Sequence, residues 1–459
     1  MIVSRLLTPS QIGVFSVAVA LVALVHMLRD FGVSEYLVQE KSLDEATIRT
    51  AFTINLIIAW FLAGMLFAAS SLMGRFYGNP GIGDVARVLS GTFILLPLGT
   101  NAMSRMRRDM AFGTIYKIRL GEITVRSFLT IGLAFAGFSY MSMAWGSLAA
   151  QMASVIGCTV WGWDYRVRGL SLSQWRRIVP FSLNRTAADI VIQLGRQSAD
   201  IVIGKMLGMA AAGFYSRGYG IVNLFREKVI GAIDAVAFPL FAREHRERNA
   251  APDLFIRSLV HLTGISWPFF GFATLMASPL IHIFFGDQWD SAVPVMRWLC
   301  GAAIVATLTF QCTQLFTAIN RVGVVTSVEI QYQLTRLGIA IVAALYSIEA
   351  VAASQILVYV IATVLYYRNL RGYEALTTPR IVKALMPSAV VTMMACVVPL
   401  IVVLWTTHMA QHSILALIVG AFGACLGWLL GLILVNHPLL FEVKHVIALL
   451  QHRISSFRG

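Results

Sequence analysis

The sequence predicts an all-α polytopic membrane protein. About 13 transmembrane helices form two pseudo-symmetric six-helix lobes, the first lacking its opening helix, plus two C-terminal helices. Three observations carry that expectation. Hydrophobic residues make up 58% of the 459 residues and charged residues only 13%, with mean hydropathy +0.75. The apolar residues gather in runs of about 20, the length of helix that a bilayer core requires. Basic residues alternate from loop to loop, and one motif near the start recurs midway along the chain.

The predicted spans lie near 11–29, 49–72, 84–104, 118–138, 142–162, 180–203, 210–238, 254–284, 293–318, 323–345, 349–367, 384–407 and 413–435. They are read as helices because backbone groups find no water to bond in the bilayer core. Four loops are rich in basic residues: Arg105 to Arg119, Arg166 to Arg177, Arg243 to Arg257, and Arg368 to Lys383. The intervening loops, such as "SYMSM", "SIEA" and "TTHMAQH", carry almost none. The positive-inside rule places the basic loops in the cytoplasm. The same alternation puts the C-terminus there, and the periodic apolar residues of the tail suit a helix lying on the membrane surface. Net charge is +14. Its confinement to short loops fits membrane orientation and argues against nucleic-acid binding.

The expected organisation is an N-terminal lobe over 1–165, a second lobe over 178–370, two further helices over 384–436 and an amphipathic tail over 437–459. The repeat supports the lobes. "RLLTPSQIGVF" and "KMLGMAAAGFY" each place a Gly eight positions after a basic residue and follow it with an apolar and an aromatic residue. Six spans separate the copies, so both cross the membrane in the same sense, as parallel repeats do. A full span precedes the second copy. By symmetry, one helix is expected upstream of Met1.

The span "NRTAADIVIQLGRQSADIVIGK" carries four charges. Arg185, Asp189, Gln193, Arg196 and Asp200 step by four, four, three and four, which sets them on one helical face. A charge at mid-bilayer costs roughly 2.5–3.5 kcal/mol on insertion scales, so this stripe is expected to face protein or a wet cavity. Arg185–Asp189 and Arg196–Asp200 are spaced to pair. Glu122 and Arg126 lie four apart in another span, Glu329, Gln333 and Arg336 share a face in a third, and Arg217 opens a fourth. The sequence has no Walker-type phosphate loop, no H-E-x-x-H and no Cys/His cluster at ligand spacing; no cofactor or metal is expected. Cys158, Cys300, Cys312, Cys396 and Cys425 all fall in apolar runs and read as packing residues.

Four segments carry a family resemblance. "SRLLTPSQIGVFSVAVALVALVHMLRDFGVSEYLVQ" and "RQSADIVIGKMLGMAAAGFYSRGYG" resemble the openings of the two lobes in the multidrug/oligosaccharidyl-lipid/polysaccharide flippase superfamily. "AFPLFAREHRE" and "FFGDQWDSAVPVMRWL" resemble two later family helices. The likeness is to the polysaccharide transporter, or Wzx-like, branch. It implies a flippase that carries a polyprenyl-diphosphate-linked oligosaccharide, an O-antigen or exopolysaccharide repeat unit, across the bacterial inner membrane by alternating access. It implies no enzyme activity. Membrane lipids, a polysaccharide polymerase and chain-export machinery are the other implied partners.

In that setting Arg196, Arg185, Arg217, Arg126, Arg336 and Gln193 are candidates to line the cavity and meet the diphosphate, because guanidinium binds phosphate oxygens in bidentate fashion. Asp200, Asp189, Glu122 and Glu329 are candidates for a coupling ion. A drug/cation antiporter of the same superfamily would call for a more acidic cavity. A membrane polysaccharide polymerase would call for a long outer loop, whereas the outer loops here are short.

Overall fold

A computed structural model describes residues 2–29, 44–165, 167, 169–248, 250–370, 376–406, 414–442 and 444, without the side chains of 176–189 and 235. Most of the predicted C-terminal tail and the side chains of Arg185 and Asp189 therefore lie outside the described residues. Within them the chain is helical, with no strand. Two compact units divide it, Met1–Ser216 and Arg217–Gly459.

The first unit contains α1 (Ile2–Leu6), α2 (Pro9–Arg29), α3 (Glu45–Tyr77), α4 (Pro80–Arg108), α5 (Phe112–Phe135), α6 (Met141–Val160), α7 (Trp175–Met206) and the start of α8 (Met209–Phe225). Asp44 caps α3 by accepting the Thr47 N–H at 3.0 Å, which satisfies a donor with no partner inside the helix. α3 stops at Gly78, whose φ of 65° suits glycine. Asn79 and Pro80 then start α4, so the two helices form a tight hairpin. α4 packs on α6, α6 on α5, and α2 on α7.

The two repeat copies meet inside this unit. A Cβ on Gly13 would lie 1.7 Å from the Met209 carbonyl oxygen, and one on Gly213 would lie 2.0 Å from that of Pro9. Only residues without a Cβ let the two backbones approach so closely.

The second unit continues α8 through a π-helical turn, Arg226–Ile230, into α9 (Gly231–Arg248). It then adds α10 (Ala251–Leu275), α11 (Ala277–Phe285), α12 (Ala292–Ala306), α13 (Cys312–Ala318), α14 (Val322–Ala344), α15 (Ile348–Leu370), α16 (Thr378–Thr406) and α17 (Ile414–Leu434). α10 packs on α12 and α16, and α15 on α12 and α14. Phe241, Phe255, Leu315 and Phe316 form the centre of one apolar core, each fully buried. The α16/α17 hairpin is fastened to α10 by Trp428 Nε1, which donates to the Gly264 carbonyl at 2.8 Å.

Among the described residues helix occupies all thirteen predicted spans, with three changes of form, the first being the π-helical turn inside the span expected at 210–238. The span expected at 254–284 is a bent pair, α10 and α11, meeting at 76°. The one at 293–318 is also broken, into α12 and α13. Seven described helices are long and apolar enough to cross a membrane, or eight with the bent pair. Most of the charged and amide side chains considered above lie on other helices: α5, α7 and α14. The five cysteines are all free thiols, three of them buried.

Candidate functional site

In α7, Ser198, Ala199, Val202 and Ile203 are buried. A Cβ on Gly204 of the same helix would press on Val17 of α2. Tyr77 of α3 also donates its hydroxyl to the Ile201 carbonyl at 3.2 Å. The charged stripe runs along the edge of this buried surface. Arg196 is exposed, Asp200 half-buried and Gln193 buried. Among the described residues Arg196 makes no ion pair, so the i,i+4 partnership with Asp200 that the spacing permits is not formed.

A second charged group sits on α5. Glu122 accepts from Arg119 at 3.3 Å and from Arg126 at 3.0 Å. The Glu122 side chain is 11% exposed, whereas those of the two arginines are 50% and 52% exposed. One carboxylate between two guanidiniums leaves a net positive group whose arginines still reach outward. Nearby in the same unit, Asn55 Nδ2 donates to Asn101 Oδ1 at 3.2 Å, linking α3 to α4 through a buried amide pair.

The second unit has a polar interior. On α14 the predicted stripe is real: Gln333 and Arg336 are buried, and Glu329 accepts from Gln333 Nε2 at 3.2 Å and from the Tyr366 hydroxyl of α15 at 2.8 Å. The Arg336 guanidinium lies 5.9 Å from the Tyr359 ring centre. Arg217 lies 5.8 Å from the ring centres of both Phe285 and Trp289, a cation–π arrangement that compensates a desolvated charge.

Arg336 also borders a cavity of about 20 Å³ together with Tyr219, Arg226, Gln355 and Tyr359. Arg226 and Tyr219 line this cavity side by side. The sequence reading passed over Tyr219, Arg226, Gln355 and Tyr359. The first two were legible: Tyr219, Val222 and Arg226 step by three and four, which is one helical face. Among the described residues no three or more His, Cys, Asp or Glu side chains are grouped to hold a metal ion.

Comparison with known proteins decides the family. The family described as "Polysaccharide biosynthesis protein" matches residues 2–294. The chain belongs to it.

Among similar proteins, the lipopolysaccharide biosynthesis protein WzxC of Escherichia coli K12 is 23% identical over 70% of this chain and 66% of its own length. The teichuronic acid biosynthesis protein TuaB of Bacillus subtilis is 23% identical over 62% of this chain and 59% of its own. The succinoglycan biosynthesis transport protein ExoT of Rhizobium meliloti is 26% identical over 65% and 60%. The chain therefore spans between 59% and 66% of the length of these relatives. The fold matches that of the lipid II flippase MurJ in an inward closed conformation, with TM-score 0.72 and 10% identity over 97% of this chain and 96% of that one. It also matches an inward-facing multidrug resistance MATE family transporter, with TM-score 0.66 and 14% identity over 81% and 92%.

Proposed function

We propose that this chain is a flippase. It moves a polyprenyl-diphosphate-linked oligosaccharide across the bacterial inner membrane by alternating access, with no covalent change to its cargo. Membership of the polysaccharide biosynthesis family carries this reading. Relatives named for lipopolysaccharide biosynthesis and succinoglycan transport support it. The fold alone does not choose the cargo, because a multidrug transporter shares it. Charge supports the anionic cargo: exposed Arg196 and the net-positive Arg119–Glu122–Arg126 group suit a diphosphate better than a cationic drug.

In this reading Arg196 takes the diphosphate, with Gln193, Arg126 and Arg185 as neighbouring candidates. Asp200, Asp189 and Glu122 are candidates for the coupling ion. Glu329 is the weaker candidate, since Tyr366 and Gln333 already hold its carboxylate. Arg217 and Arg336 are set against aromatic rings instead. The basic loops and the C-terminus face the cytoplasm, and the product is handed to a polymerase and export machinery.

The deciding experiment places the chain in proteoliposomes with a fluorescent polyprenyl-diphosphate oligosaccharide. Protein-dependent transfer between leaflets is expected, with no transfer of a cationic dye. The reverse pattern overturns the assignment.

A further inference from the structure

We propose that the α5/α6 face of the first unit seats the carrier lipid of the cargo, with the diphosphate at Arg119 and Arg126 and the polyprenyl chain in the apolar groove beyond them. This site rests on the flippase reading above.

One helical face carries both halves of the site. Arg119, Glu122, Arg126, Leu129 and Leu133 step by three, four, three and four along α5, which keeps them on one side of the helix. The first three form the ion-paired group already described. The last two form one wall of a groove of about 250 Å³. Trp145, Ala149 and Met152 of α6, again at helical spacing, form the other wall, and Phe138 joins them from the turn between the helices. Every lining residue is apolar. The groove is smaller than the roughly 300–1,000 Å³ of sites that enclose a whole small molecule, so it grips a stretch of one chain and leaves the rest in the bilayer.

Charge decides what the other half accepts. α6 has no charged side chain. The other helices packed most closely on α5 are α1 and α4, and they add Arg5, Arg105, Arg107 and Arg108. Their one carboxylate, Asp84, sits at the opposite end of α4 and pairs with Arg87 at 3.2 Å. Asp109 and Asp164, beyond the helix ends, lie near Tyr165 and Arg105. Within the span Glu122 is the carboxylate that answers both guanidiniums, and the group keeps a net positive charge. The Arg119 and Arg126 side chains remain half exposed, so both still have N–H donors to offer a phosphate.

Depth selects the lipid. The predicted span opens at 118. At about 1.5 Å per residue, Arg126 lies about 12 Å along it, Leu129 about 17 Å and Leu133 about 23 Å. A hydrocarbon core is about 30 Å thick, so the groove begins past its middle while the arginines lie before it. A phospholipid with its phosphate at the inner interface ends its acyl chains near mid-bilayer, short of the groove. A phospholipid of the outer leaflet fills the groove and leaves the arginines unmet. A lipid with its anionic head raised to the arginines, and a single chain long enough to pass mid-bilayer, meets both. A polyprenyl diphosphate has that form. A second copy of this chain does not suit the face, because a two-fold contact about the membrane normal sets one net-positive group against the other.

The test uses the full chain in phosphatidylcholine nanodiscs, with a polyprenyl diphosphate that carries a photoreactive diazirine near its diphosphate end. Illumination is expected to label α5 and α6 between Leu129 and Met152. Excess unlabelled polyprenyl diphosphate should suppress the labelling, and excess phosphatidylglycerol should not. Ala149→Phe fills the groove and should lower labelling there about 10-fold, roughly the effect of denying the chain two methylene contacts. Arg126→Gln should weaken labelling by the diphosphate but not by the uncharged polyprenol. If the variants do not fold, the wild-type competition decides. Equal suppression by phosphatidylglycerol, labelling confined to other helices, undiminished labelling in folded Ala149→Phe, or an Arg126→Gln protein that labels like wild type overturns the assignment. Leaflet transfer of the fluorescent cargo, measured on the same preparations, separates the site from the flippase reading. Transfer without groove labelling overturns the site alone, and groove labelling without transfer overturns the flippase reading alone.

Discussion

Ser16 donates its hydroxyl hydrogen bond to Ser216 at 2.9 Å, and the two residues are equivalent positions of the internal repeat, 200 apart in the chain. The reciprocal contacts beside them, Gly13 on Met209 and Gly213 on Pro9, keep the same offset. Each repeat copy thus packs its first turns on those of the other, as a two-fold crossing requires. The glycines dominate this crossing energetically, since a Cβ at either would collide with backbone, which has no rotamer to change. Gly13→Ala and Gly213→Ala are each expected to cost about 1–3 kcal/mol or more by overpacking, and Ser16→Ala about 1 kcal/mol for one hydrogen bond. Melting temperatures in detergent check the order. If Gly13→Ala melts no lower than Ser16→Ala, the crossing is looser than described.

This crossing was half legible in the sequence. The repeat aligned Gly13 with Gly213, but alignment says only that two segments are alike, not that they touch. The α14 stripe was fully legible, because Glu329, Gln333 and Arg336 lie on a regular helix where spacing fixes the face. Spacing did not fix partners: Arg196 and Asp200 share a face and do not pair, since side-chain torsions and neighbouring elements choose the bond. The bend between Leu275 and Ala277 was hidden for another reason. Both arms are apolar, so hydropathy runs through the break. Arg226 fell inside the predicted span 210–238 and was not singled out, although its spacing from Tyr219 and Val222 sets the three on one helical face.

Glu329 is expected to depend on Tyr366 for its place. The hydroxyl donates to a carboxylate in a buried setting, and hydrogen bonds to charged groups are worth about 1.5–3 kcal/mol. Tyr366→Phe should lower stability by that order, and Glu329→Gln by less in the same background, because the two losses share one bond. A double-mutant cycle on thermal or denaturant unfolding reads the coupling. Strict additivity would show that the contact contributes nothing.

His437 makes the C-terminal hairpin acid-sensitive. Its Nδ1 accepts the Leu439 N–H at 3.2 Å, which leaves Nε2 to donate to the Ser388 hydroxyl at 3.1 Å. Burial, with a smaller push from His261, lowers its pKa from the ordinary 6.5 to about 4. Between those values the unfolded chain binds a proton that the folded chain does not. Stability is therefore lost as pH falls from about 6.5 to about 4, and no further below that. His437→Asn keeps an acceptor for Leu439 without titrating, so it should flatten this part of the melting-temperature profile. An unchanged profile would place the acid sensitivity elsewhere.

Arg196 is the residue on which the transport reading is most exposed to failure. It is exposed on α7, and it makes no ion pair among the described residues. Removing it leaves no buried carboxylate stranded, so Arg196→Ala should insert and melt close to wild type. Its loss should fall on cargo handling. Transfer of the lipid-linked oligosaccharide in proteoliposomes should drop roughly 10-fold or more, the loss of one charge-assisted contact of about 1.5–3 kcal/mol. Lysine restores the charge but not the two-pronged geometry, so Arg196→Lys should recover only part of the rate. Glutamine keeps donors without charge, and Arg196→Gln should behave like alanine if charge is what the cargo requires. Equal rates for wild type and Arg196→Ala, with both proteins folded, would remove this residue from the cargo path and leave the basic group around Glu122 as the next place to look.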